Sequence, residues 1–109
     1  MKGIFLILLI GLIIIVGCEK GMTLDDVLSK NNYLIVDVRT KEEYDELHIK
    51  DALNIPYDEI GSSNLDKTKT ILVYCKSGVR SKKAYDTLKK MGYEVMDLGS
   101  LESIKLEKE

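Results

Sequence analysis

Tryptophan is absent from this chain of 109 residues, and phenylalanine, histidine and proline each occur once; cysteine occurs twice. Each shortage removes a class of answer. One histidine and two cysteines cannot supply a clustered metal centre, so no metal is expected. Two cysteines give no disulfide framework of the kind that staples small extracellular domains. Without Trp, and with its only Phe at position 5, the core must rest on Leu, Ile, Val and Tyr. No phosphate-loop or dinucleotide fingerprint is present, and no cofactor is expected. A formal net charge of −2 provides no basic surface, which argues against nucleic acid as a partner. There is no internal repeat and no low-complexity segment.

What is present begins with Met1-Lys2 and the run GIFLILLIGLIIIVG, fifteen residues without a charge. As a helix that run would span roughly 22 Å, short of the ~30 Å hydrocarbon core, which suits a signal-peptide segment better than a membrane span. Ile15-Val16-Gly17-Cys18 resembles the lipobox of bacterial lipoproteins. The resemblance implies a signal peptide over 1–17, a lipidated Cys18, a tether over 18–22 and a folded domain over 23–109. An uncleaved N-terminal anchor is the alternative. Either places the domain on a membrane surface, expected to be the extracytoplasmic (periplasmic) face, held there by the anchor. A lipid on Cys18 leaves Cys75 without a disulfide partner. The alternative, a Cys18–Cys75 disulfide, would tie the tether to the Cys75 loop.

The remaining pattern alternates helix and strand. Thr23 caps a short helix that ends at Asn31-Asn32. Tyr33–Val36 and Thr70–Tyr74 are apolar runs of the kind buried on both faces of a sheet. Thr40 caps a helix over Lys41–Leu47, and Ala52–Ile55 is a short strand stopped by Pro56. Residues 57–69 read as a polar loop with a turn at Gly61-Ser62-Ser63-Asn64. A helix is expected over Ser81–Met91, with Ala84, Tyr85, Leu88 and Met91 on one face and Gly92 as its stop. A strand over Tyr93–Leu98 follows, then a final short helix over Leu101–Leu106 that frays into Glu107-Lys108-Glu109. The expected fold is a small three-layer α/β domain with a mostly parallel central sheet and helices on both faces.

In such a sheet ligands gather beyond the carboxyl ends of the strands. Two strands end there in polar residues, one in Asp37-Val38-Arg39 and the other in Cys75-Lys76-Ser77-Gly78-Val79-Arg80. The second set runs into a helix at Ser81. Its backbone amides can curl around an anion, with the positive end of the helix behind them. Thiolate is the charged form of Cys75, so those amides, with Lys76 and Arg80, should lower its pKa and make it nucleophilic.

CKSGVRS resembles the active-site loop of rhodanese-like domains, Cys-x-x-Gly-x-x-Ser followed by a helix. DVRTKEEYDELHIKDALNIP resembles their upstream signature, and GYEVMDLGS their last strand. The resemblance covers about residues 23–104. It departs from the family pattern where Leu47, Asp51 and Ser100 replace common glycines. It implies a sulfurtransferase with a rhodanese-like fold. Cys75 would take the sulfane sulfur of thiosulfate or a similar small anionic donor and pass it to a thiol or cyanide. Amides from Lys76 through Ser77, Gly78, Val79 and Arg80 to Ser81 would cradle the persulfide, and the domain is expected to act as a monomer.

The supporting roles stay divided. Arg80 is expected either to pair with Asp37 and hold the loop, or to touch substrate. Arg39 is expected to pair with Glu43, His48 to be a packed structural residue, and Ser77 and Ser81 to shape the loop. Lys76 either attracts the donor or merely solubilises. A phosphatase or arsenate-reductase reading is disfavoured, because those loops need five residues between Cys and Arg and this one has four. A non-catalytic persulfide carrier is the other alternative.

Overall fold

A computed structural model describes residues 22–109; the expected signal segment 1–17 and the lipidated Cys18 lie outside the described residues. The chain divides into two units, Met1–Lys30 and Asn31–Glu109. In the first, helix α1 spans Leu24–Lys30. Its start is fixed as the sequence predicts: the Asp26 amide donates to Thr23 Oγ1 at 3.1 Å, and the Thr23 amide to Asp26 Oδ2 at 3.2 Å.

The second unit is a four-stranded sheet of order β2-β1-β3-β4, with every pair parallel. Strand β1 spans Tyr33–Asp37, β2 Leu53–Asn54, β3 Thr70–Cys75 and β4 Glu94–Ser100. Helix α2 spans Lys41–Glu46 and α3 Val79–Lys90. Strand alternation sends Val36, Ile71, Val73 and Cys75 to one face, where they pack with Ala84 and Leu88 of α3, with Ile60, and with Tyr93 and Val95. Burying each aliphatic side chain of this kind contributes about 1.5–3 kcal/mol. Asp37, Arg39 and Tyr74 point to the opposite face. There the segment after α2 covers them, with the Ile49 amide donating to Tyr74 Oη at 3.0 Å.

Several expected elements need correction: α2 stops at Glu46 and β2 covers only Leu53–Asn54. Helix α3 begins at Val79, two residues before Ser81, because Gly78 rather than a hydroxyl residue starts it. The polar stretch 57–69 carries a 3-10 turn over Ile60–Ser62, held by the wholly buried side chain of Ile60. Strand β4 runs on to Ser100 through a bulge: Val73 pairs with Asp97 but Tyr74 with Gly99. The positive φ of Gly99, +82°, makes this cheap. The expected final helix is only a 3-10 turn over Leu101–Ser103. The tail does not fray. Ile49 and Lys108 form an antiparallel bridge, and His48 and Glu109 exchange backbone hydrogen bonds at 2.9 and 2.8 Å.

The three replaced glycines fall out simply. Leu47 (φ −168°) and Ser100 (φ −92°) have backbone angles that any residue adopts. Asp51, at φ +67°, occupies the left-handed region, where a Cβ costs roughly 1 kcal/mol. Asp51→Gly should therefore raise stability by no more than about 0.5 kcal/mol, because most of the relieved strain is offset by the greater unfolded-state entropy of glycine. A urea midpoint at or below that of the natural chain would contradict this.

Candidate active site

The carboxyl edge of the sheet is where β1 and β3 hand over to the two segments singled out in the sequence. Cys75 is the last residue of β3 and its thiol is free and fully buried. The chain then turns through Lys76 and Ser77 to Gly78, whose φ of +96° a side chain would strain. Gly78 is the N-cap of α3, so the first amides of that helix have no intrahelical acceptor. They find the sulfur instead. The Gly78 amide donates to Cys75 Sγ at 2.9 Å and the Ser81 amide at 3.3 Å.

Burial alone would push the Cys75 thiol up. The Ser81 hydroxyl and the amides of Ser81, Gly78 and Ser77 more than offset that, and the thiol lies below its ordinary value. The Ser81 hydroxyl also lies 3.2 Å from the Gly78 carbonyl and can turn from one acceptor to the other. Lys76, Ser77 and Val79 are exposed around this cradle, Val79 by 61 %. Beside the loop runs an open cleft of about 580 Å³, bordered by Lys76, Arg39, Glu43, Leu47 and Leu101.

The two arginines are placed differently from expectation. Arg39 does not pair with Glu43. Its Nε donates to both oxygens of Asp37 (2.9 and 3.0 Å), its Nη2 to Oδ2 at 2.7 Å and its backbone amide to Oδ1 at 2.9 Å. Asp37 is wholly buried and Arg39 is 6 % exposed. Residues two apart on a strand end share a face, so this pairing closes locally. Arg80 in turn does not pair with Asp37. Its guanidinium meets the Glu43 carboxylate fork to fork, Nη1 to Oε1 at 2.7 Å and Nη2 to Oε2 at 3.0 Å.

Glu43 is thus a site residue that the sequence reading missed, although Thr40-x-x-Glu43 is legible as a capping box. Its carboxylate accepts from the Thr40 amide at 3.1 Å as well as from Arg80. Arg80 foremost, with the Thr40 donors, outweighs burial and holds that carboxyl at about 2, against an ordinary 4.5. A depressed carboxyl stabilises the fold above its unfolded value and loses that contribution as pH falls through the folded one. Between pH 4.5 and 2 the natural chain should lose about 1–2 kcal/mol more stability than Glu43→Gln. The full shift would give more, but the pair is about a quarter exposed and partly screened. Parallel loss in both chains, followed by urea titration, would refute it.

The rest of the upstream signature builds a scaffold beneath the loop. Arg39 Nη2 also donates to the Leu47 carbonyl at 2.6 Å, and Tyr44 Oη to the Ala52 carbonyl at 2.6 Å. Asn54 Nδ2 donates to the carbonyls of Asp37 and Arg39, both at 3.1 Å. His48 stacks on Tyr44 with ring centroids 3.8 Å apart, and its Nδ1 donates to the Tyr44 carbonyl at 2.7 Å. Its ring is engaged in packing.

A parallel α/β sheet whose carboxyl edge carries a cysteine facing helix-terminal amides defines a domain built to hold an anion on that sulfur. The chain belongs to the rhodanese-like domain family, whose model matches residues 14–107. It is 38 % identical over 78 residues to thiosulfate sulfurtransferase PspE of Escherichia coli, covering 67 % of this chain and 75 % of that protein. It is 34 % identical over 71 residues to thiosulfate sulfurtransferase GlpE of Coxiella burnetii, covering 63 % of this chain and 66 % of that protein. Among solved structures, a rhodanese with anions from E. coli superposes with a TM-score of 0.66 at 35 % identity, over 71 % of this chain and 96 % of that one.

Proposed function

We propose that this chain is a thiosulfate sulfurtransferase working through a persulfide on Cys75. The observation that carries the reading is the buried sulfur accepting hydrogen bonds from the Gly78 and Ser81 amides, which favours an anion on that atom. The Cys75 thiolate attacks the outer sulfur of thiosulfate. A new S–S bond forms, the donor's S–S bond breaks, and sulfite leaves with the electron pair. The persulfide Cys75–S–S⁻ keeps the single negative charge and sits in the same amide ring. Cyanide or a thiolate then attacks its terminal sulfur, and the Cys75 thiolate is regenerated. A phosphatase reading is disfavoured because the Arg80 guanidinium is committed to Glu43 rather than turned toward an oxyanion in the loop.

The membrane-anchored, extracytoplasmic setting belongs to the same proposal. It rests on the apolar run and the lipobox-like residues ending at Cys18. Lipidation of Cys18 would hold the domain at the membrane surface, facing donors and acceptors outside the cytoplasm.

Intact mass after thiosulfate treatment tests the first half of the cycle, and a gain of one sulfur atom that dithiothreitol removes is expected. Thiocyanate formation with excess cyanide tests the second and separates a catalyst from a persulfide carrier. A protein that gains no sulfur refutes the reading.

A further inference from the structure

We infer that Glu43 is a positioning residue of the Cys75 loop, and that by neutralising Arg80 it sets the charge an incoming sulfur donor meets. Glu43 stands in α2 and Arg80 in the first turn of α3, 37 residues later in the chain. One carboxylate serves both elements: Oε1 closes the capping box of α2 through Thr40, and both oxygens hold the Arg80 fork. Planar bidentate pairing of this kind fixes direction as well as distance. It anchors the turn of α3 whose amides face the sulfur to a helix that follows directly on the buried Asp37–Arg39 pair.

Two cations, Lys76 and Arg80, flank Cys75 in the loop, and Arg80 is close enough to feel the charge of the thiolate. Arg80 is cancelled by Glu43, whereas Lys76 has no ion pair among the described residues. Thiolate, Lys76 and the Arg80–Glu43 pair together carry no net charge. The cleft beside them adds two carboxylates, Glu46 and Glu102, against one further unpaired cation among the described residues, Lys108, since Arg39 is held by Asp37. A dianionic donor therefore meets a site with little net attraction, and selectivity is shifted toward donors of lower charge. Removing the Glu43 charge would leave a net positive loop. The donor selectivity rests on the sulfurtransfer reading; the local charge does not.

The test uses alkylation of Cys75 by a neutral and an anionic reagent of similar size, iodoacetamide and iodoacetate, which needs no sulfur donor. Glu43→Gln should raise the iodoacetate-to-iodoacetamide rate ratio about three- to tenfold, as expected for a unit charge at short range in a partly screened site. It should also move the alkylation pH profile to lower pH. A loop that had merely loosened would speed both reagents alike and leave the ratio unchanged. The double variant Arg80→Gln with Glu43→Gln restores the neutral count and should return the ratio to within about twofold of the natural chain. An unchanged ratio in folded Glu43→Gln overturns the inference. Should that variant fail to fold, Arg80→Gln with Glu43 kept must lower the ratio, and no change there overturns it equally. With thiosulfate and cyanide, Glu43→Gln should lower the KM for thiosulfate by a similar factor. A charge response without any persulfide would refute the sulfurtransfer reading and leave the charge inference standing.

Discussion

Cys75→Ser should abolish sulfur transfer, with a fall in kcat/KM on the order of 10⁴ or more, the scale seen when a covalent nucleophile is removed. The reason is stricter than weakened nucleophilicity. The intermediate of the proposed cycle is an S–S bond, which an oxygen at position 75 cannot form, and a serine hydroxyl does not ionise near neutral pH. The fold should survive, because a hydroxyl can accept from the same Gly78 and Ser81 amides. The two measurements that check this are thiocyanate production and intact mass after thiosulfate. A folded Cys75→Ser chain that still gains a removable sulfur would place the carrier elsewhere and refute the site.

Asp37→Ala should cost about 3–5 kcal/mol, the largest stability loss expected from any one substitution at this site. It strands the Arg39 guanidinium, only 6 % exposed, with the Leu47 carbonyl as its remaining hydrogen-bond partner. It also removes the acceptor of the Arg39 backbone amide. Small domains have total stabilities of about 5–15 kcal/mol, so the variant should lose between about a fifth and the whole of its stability. Replacing both partners by apolar residues, Asp37→Leu with Arg39→Met, should cost clearly less, because no buried charge is left uncompensated. Urea midpoints of the two variants decide the matter. A loss under about 1 kcal/mol in Asp37→Ala would show that the pair does not brace the sheet edge.

Much of the fold was legible because it is locally encoded. The apolar runs of β1 and β3, the Thr40 capping box and the helical spacing of Ala84 and Leu88 all state their conformations within a few residues. Where local signals are silent, the structure departs from what the sequence suggests. Nothing local shows that Ile60 would be drawn into the core and wind its neighbours into a 3-10 turn. Nothing near Glu107-Lys108-Glu109 announces a bridge to Ile49. Both are contacts between distant segments, and the burial that rewards them is not a property of either segment alone.

The site divides in the same way. Cys75 at the end of a buried strand, with Gly78 three residues on and a helix behind it, made the candidate nucleophile and the amides that face its sulfur legible from sequence, since loop, glycine and helix terminus are consecutive. The partners of the two arginines could not be read there. Asp37 and Glu43 carry the same charge, so Coulomb attraction alone does not choose between them for Arg39 and Arg80. The choice was made by direction. Alternation at the end of β1 lays Arg39 against Asp37 on one face of the sheet, and the first turn of α3 carries Arg80 across to α2 and Glu43. The sequence by itself placed Cys75 and the amides of its loop at the strand end; only the tertiary structure, by bringing Arg80 of α3 to Glu43 of α2, decided what charge stands beside that sulfur.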